Sequence, residues 1–209
     1  METELGWGDS DGGRPSYTVD EINKGILGSQ IIFNTISDSV KKLCGCKAVC
    51  HQRRRAEPAN PETKEWRGNN ITAEDGKYYI IRLYVQNNNP NGMDTVAEDT
   101  RVSFSMPDIS STTVEVNGYI GSSNARPSKY WDYIKFNSDV PLHLEYIHGS
   151  ALLENNEIGL GGIPLSDDIV NAKGDGMLIG YDALDDRIPG CNQYINYVSI
   201  RVKVVYDKN

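Results

Sequence analysis

Histidine is scarce in this chain, three residues in 209, and cysteine, methionine, tryptophan and phenylalanine number only four, four, three and three. So few imidazoles narrow the catalytic options to His51, His143 and His148, and no G-x-S-x-G, H-E-x-x-H or phosphate-cradling glycine loop accompanies them. His143 alternates with Glu145 opposite Leu142, Leu144 and Tyr146, which reads as a strand-surface position. Glu154 and Glu157 can be posed as a glycosidase pair, but nothing in the sequence fixes their separation. A carbohydrate-active enzyme therefore ranks behind the non-catalytic readings.

Long apolar runs are missing as well. None approaches the ~20 residues that a bilayer-spanning helix needs, so no membrane span is expected. Positive charge is in the minority, with 21 Lys and Arg against 29 Asp and Glu and a formal charge of −8. That balance argues against a phosphate track for nucleic acid. The one dense basic run is His51 to Arg55. Arg53, Arg54 and Arg55 read as a solvated loop, with an anionic partner as the alternative.

What the chain does have is alternation. In Tyr194 to Tyr206, Val198, Ile200, Val202 and Val204 share one face, and Tyr197, Ser199, Arg201 and Lys203 share the other. Tyr78 to Asn87 matches it, with Tyr79, Ile81, Leu83 and Val85 opposite Tyr78, Ile80, Arg82, Tyr84 and Gln86. Period-two patterning of this kind marks strands with one face in a core. Further strands are expected at 30–37, 99–106, 112–120, 131–137, 142–146 and 177–181. Thr18 and Glu21 form a capping-box pattern before a short helix at 18–27. About eight short strands between turn signals predict an all-β, antiparallel, immunoglobulin-like β-sandwich with long irregular loops.

The chain divides into a flexible, Gly- and Asp-rich N-terminal tail at 1–16 and a single β-sandwich domain at 17–209. Within the domain, 39–70 reads as an irregular cysteine-containing loop, with a short helix near 38–43. Three groups of loop oxygens suit calcium: Asp94, Glu98 and Asp99; Glu154, Asn155 and Glu157; and Asp182, Asp185 and Asp186. None fits the D-x-[DN]-x-[DN]-G loop, and solvated surface carboxylates are the plainer reading. No other cofactor is expected.

Several blocks occur in order: RPSYT at 14–18, IIFNTISD at 31–38, YYIIRLYVQNN at 78–88, VNGYIGSSNARPSKYWD at 116–132, GSALLENNEIGLGGIPLSD at 149–167 and LIGYDALDDRIPGCNQYINYVSIRVKV at 178–204. Together they resemble a conserved-repeat β-sandwich module of bacterial secreted and cell-surface proteins. The resemblance spans roughly residues 14–206 and implies an extracellular β-sandwich without assigned catalytic activity. It offers no site residues to carry over, and 39–70 departs from its pattern. The acidic start, METELGWGDS, is not a signal peptide, which fits either a cytosolic protein or a mature segment; the extracellular expectation takes the second account.

In an exported context the even set Cys44, Cys46, Cys50 and Cys191 suggests two disulfides, one local and one reaching Cys191. Closing so long a loop would contribute roughly 4–5 kcal/mol. Cys44, Cys46, Cys50 and His51 are alternatively a zinc ligand set, although their spacing is poor for zinc; a covalent haem motif is one residue too long; free thiols are the remaining reading. The functional expectation is a non-catalytic extracellular surface module with structural or adhesive roles and a protein or glycan partner. The alternative is a self-assembling filament subunit that donates its N-terminal tail as a strand to a neighbour.

Overall fold

The computed structural model describes residues 5–6, 17–35, 49–52, 70–158, 161–171 and 175–207. Its strands form one largely antiparallel β-sheet, curled into a half-barrel. In chain order the elements are β1 (Leu5–Gly6), α1 (Val19–Asn23), β2 (Val49–Gln52), β3 (Asn70–Thr72), β4 (Tyr78–Val85), β5 (Arg101–Ser105) and β6 (Ser111–Gly121). They continue with β7 (Lys129–Tyr146), β8 (Leu152–Asn155), β9 (Ile163–Pro164), β10 (Met177–Leu178) and β11 (Asn196–Tyr206). The hydrogen-bonded path runs β10-β5-β6-β7-β11-β4-β2, with β8 also on β11 and with β1 and β3 parallel to β7.

The two strands with the clearest alternation are direct partners. β11 and β4 pair antiparallel from Asn196–Val85 to Lys203–Tyr78. Their β-branched inner faces, Ile81, Val198, Ile200, Val202 and Val204, are almost fully buried, as strand propensity and a half-buried surface require.

β7 makes the curl. Its burial alternates over Tyr130–Asn137, stops at Ser138–Pro141, and resumes at Leu142. Where the pattern stops, the register with β6 shifts between Ser111 and Thr113, and such irregularities bend a strand and raise its twist. The first half of β7 pairs with β6 and the second with β11. The sheet thereby folds its inner face on itself. Leu83 of one half meets Gly118 of the other, where an added Cβ would lie 3.2 Å from the Leu83 Cδ1. Tyr79 stacks edge-on against Phe136 at 5.3 Å. The all-β expectation therefore holds at the level of a mostly antiparallel sheet with few helices.

Several local expectations change. The segments expected as separate strands at 131–137 and 142–146 form one continuous strand. In place of the strand that the pattern at 30–37 predicts, the described residues there form only the isolated bridges Ile31–Ala125 and Phe33–Asn87. The reason is burial on both sides: Ile31, Ile32, Phe33, Asn34 and Thr35 are all interior, and Asn34 adopts φ 51, which ends extended pairing. Tyr84, expected on an outer face with Tyr78 and Tyr197, is buried. The strand expected at 177–181 shortens to β10, while β8 and β9 appear in what read as loop. The capping box forms as read: Thr18 Oγ1 accepts from the Glu21 N–H, and the Thr18 N–H donates to the Glu21 carboxylate. The Thr18 N–H and then the Thr18 hydroxyl, both donating to the Glu21 carboxylate, hold that carboxyl below its ordinary range.

The connections on this scaffold are tied by asparagine rather than left loose. Asn87 donates to the Thr95 and Ile188 carbonyls and accepts from the Asn89 N–H. Asn89 in turn donates to the Gly28 and Gln30 carbonyls. Buried backbone carbonyls need such partners. Gly190 has no room for a side chain, because a Cβ there would strike the Asn89 carbonyl oxygen.

Candidate functional site

The outward face of β5, β6 and β7 carries a grid set by the register. One row is Arg101–Gly121–Lys129; the next is Ser103–Tyr119–Trp131; then come Ser105–Asn117–Tyr133 and Glu115–Lys135. The inward neighbours Val102, Phe104, Val116, Ile120, Tyr130 and Ile134 are buried, so period two sends the grid residues outward. Three aromatic rings thus lie side by side on a rigid sheet. Trp131 and Tyr133 have ring centroids 6.4 Å apart, and Tyr119 and Tyr133 each carry a lysine ammonium over the ring, Lys129 at 4.8 Å and Lys135 at 4.7 Å. Lys135 also pairs with Glu115 at 3.3 Å.

At one end of this face lies a cleft of about 260 Å³, bordered by Arg101, Ser103, Tyr119 and Lys129. Gly121 lies within it, and Ser122, Ser123 and Ser128 from the β6–β7 connection line it, with Asp99 and Asp175 as its carboxylates. Arg101 Nε donates to Asp99 at 2.8 Å, and Arg101 Nη1 donates to the Gly176 carbonyl at 3.4 Å. Asp99 reaches back to Arg101 from a left-handed backbone, φ 49, a conformation that Asp tolerates better than most residues.

Elsewhere the acidic groups read as calcium candidates do not converge. Among the described residues no three His, Cys, Asp or Glu side chains gather closely enough to hold a metal ion. Asp99 joins the cleft through Arg101, Glu98 lies 4.0 Å from Arg187, and Asp94 is exposed in a 3₁₀ turn. Asp185 accepts from the Arg187 N–H, Asp182 is exposed, and the Asp186 carbonyl accepts from Thr100. Glu154 pairs with Arg82 at 3.3 Å, Asn155 is buried in a hydrogen bond to Asn196, and Glu157 is exposed.

The cysteine and arginine positions fall mostly outside the described residues. Cys44, Cys46, Arg53, Arg54 and Arg55 are not among them, nor is the short helix expected at 38–43. Cys50 and His51 are placed by backbone in β2, opposite Ile81 and Ile80. Among the described residues no disulfide is present, and the Cys191 thiol is free.

Two histidines sit beside carboxylates without forming a nucleophile's constellation. His143 Nδ1 lies 2.9 Å from Asp207, which also accepts from the Ser110 hydroxyl. The carboxylate is then the middle member, whereas activating a serine needs the imidazole between hydroxyl and carboxylate. The Ser110 hydroxyl and then His143 hold the Asp207 carboxyl below its ordinary range. His148 lies 3.0 Å from Asp167, which accepts from the Tyr146 hydroxyl at 2.6 Å and the Gly149 N–H at 2.7 Å. Those donors, Tyr146 first, lower the Asp167 carboxyl, while burial and then the bond to Asp167 raise the Tyr146 phenol. Both groups clamp loops onto strand ends.

Sequence reasoning named Asp99 but missed Gly121, Tyr119, Trp131, Lys129 and Arg101. The alternation in KYWDYIK sets Trp131 and Tyr133 opposite Asp132 and Ile134 without saying which face is outward; that choice, and the neighbourhood of Arg101 and Lys129, depend on packing and register between strands. Comparison with protein-family models, with curated proteins and with solved structures returned no match.

Proposed function

We propose that this protein is a non-catalytic extracellular surface module that binds glycan chains through the outward face of β5, β6 and β7. The observation that supports it is the contiguous group of Tyr119, Trp131 and Tyr133 beside a polar cleft. Aromatic rings held by a sheet present flat apolar area at little cost in conformational entropy, and flanking polar groups supply orientation. The resemblance to bacterial surface modules and an immunoglobulin-like reading of the curled sheet agree with this role. Binding of the full chain to a panel of polysaccharides tests it, with Trp131→Ala as the control. Retention of wild-type protein and loss of Trp131→Ala support the reading; equal behaviour of both overturns it.

A second reading, assembly through the N-terminal strand, is favoured by the pairing of β1. Leu5 and Gly6 add parallel to Tyr130 and Trp131 at an edge of β7, and a neighbour's copy of the same residues would make the same bonds. Light scattering of the full chain against a chain lacking residues 1–16 decides it. Assembly that disappears with the tail supports donation, and monomers in both cases exclude it.

A further inference from the structure

We infer that the cleft at Gly121 is the terminal subsite of the glycan-binding face, taking a single neutral pyranose at the end of a chain. This inference rests on the glycan reading above and adds where a chain stops and what its last ring must be.

The cleft exists because one side chain is missing from the grid. Gly121 stands opposite Arg101 on one side and Lys129 on the other, and directly opposed strand positions place Cβ atoms only about 5 Å apart. Any larger residue at 121 would fill the space between the two cations. The glycine is not needed by the backbone: it does not adopt positive φ, and an added Cβ would meet only the Ser128 carbonyl oxygen at an ordinary 3.8 Å. Neither a turn nor close packing calls for glycine there, which leaves the open space itself as its consequence.

The lining fits a hydroxyl-rich ring better than an anion. Two cations, Arg101 and Lys129, face two carboxylates, Asp99 and Asp175, so the formal charge of the cleft is zero. The guanidinium and ammonium offer donors only, and the carboxylates offer acceptors only. A sugar hydroxyl does both, and neighbouring hydroxyls can engage the Asp99–Arg101 pair together. An anion would instead meet Asp99 already paired with Arg101 at 2.8 Å and would compete with it.

The direction of the chain follows from what bounds the cleft. Ser122, Ser123 and Ser128, in the connection between β6 and β7, line it at the end of the strands. Tyr119 borders it where the aromatic row begins, with Trp131 next to Tyr119. A chain lying over Tyr133 and Trp131 therefore ends in the cleft.

The test uses the full-length protein, neutral oligosaccharides of two to six sugars, and the same oligomers with the terminal ring oxidised to a uronic acid. Gly121→Val adds a strand-compatible side chain to the notch. The expected result is that Gly121→Val weakens binding of short neutral oligomers by about tenfold or more while its melting temperature stays with wild type. The uronic-terminated oligomers should bind wild type more weakly than the neutral ones. Binding that depends on Trp131 but is indifferent to Gly121→Val, or a preference for the uronic terminus, overturns the inference and leaves the glycan reading standing. Absence of any binding by wild type overturns both. If Gly121→Val lowers the melting temperature, Lys129→Gln replaces it in the same comparison, and unchanged affinity there counts against the subsite.

Discussion

The outward faces of the two halves of the sheet are built from the same residue types and end differently. On β4, β11 and β8 the row is Tyr84–Tyr197–Glu154, and every position has a side chain. Arg82 stacks 5.0 Å from the Tyr197 ring and pairs with Glu154 at 3.3 Å; Tyr84 meets Tyr197 edge-on at 5.6 Å. That cluster is closed. On β5, β6 and β7 the row Arg101–Gly121–Lys129 lacks its middle side chain, and a cleft opens. Tyrosines, arginine and carboxylates on a sheet therefore make either a packed patch or a site, and the cross-strand neighbour decides which.

Both halves share one hydrophobic core, and the largest expected effect comes from breaking it. Leu83→Ala removes the contact to Gly118 and should cost about 2–5 kcal/mol in denaturant unfolding. A loss well under 1 kcal/mol would mean that the halves pack independently. Gly118→Val attacks the same contact from the other side and should cost about 1–3 kcal/mol by overpacking.

Next in size is the asparagine network that sets the loops around both faces. Asn87→Ala leaves the Thr95 and Ile188 carbonyls and the Asn89 N–H without that partner. The expected loss is about 1–3 kcal/mol, with faster amide exchange at residues 89–97.

Acid should loosen the clamps at the strand ends. The Asp167 and Asp207 carboxyls are held below the ordinary value of about 3.9 by their donors. A depressed carboxyl contributes stability that is complete above its unfolded value and is lost as pH falls through its folded one. The melting temperature should therefore drop below about pH 4, and the drop should be smaller in Asp167→Asn and Asp207→Asn. A pH series by differential scanning calorimetry reads it. Tyr146 acts with the opposite sign, since its raised phenol favours the folded state until alkaline pH ionises the unfolded chain.

The smallest expected effects separate the two outward faces. Glu154→Gln opens the closed cluster and should change stability by only about 0–1 kcal/mol, because the pair is partly solvated. Trp131→Ala should stay within about 0.5–1 kcal/mol of wild type in unfolding while abolishing glycan retention. If Glu154→Gln impairs retention as strongly, the distinction between a packed patch and a site fails.

Much of this was legible beforehand where the signal is local. The alternation of 78–85 and 196–206 identified β4 and β11 and their buried faces, because period two is a property of a single strand. The Thr18–Glu21 cap was legible for the same reason, its bonds spanning three residues. Burial of Tyr84 was not, because its ring is covered by Tyr197 from more than a hundred positions away. Nor was the continuity of β7, since Ser138–Pro141 reads as a break until β6 and β11 are seen to hold both sides of it.

The candidate site divides along the same line. By itself the sequence determined that the chain is β-rich, that 78–85 and 196–206 alternate between a core face and an outer one, and that acid outweighs base. Only the tertiary structure decided that Arg101, Gly121 and Lys129 stand in one row. Residues on different strands become neighbours through hydrogen-bond register, and register answers to the packing of the whole inner face, from Leu83 against Gly118 to Tyr79 against Phe136. A shift by one residue would have turned the grid into the core.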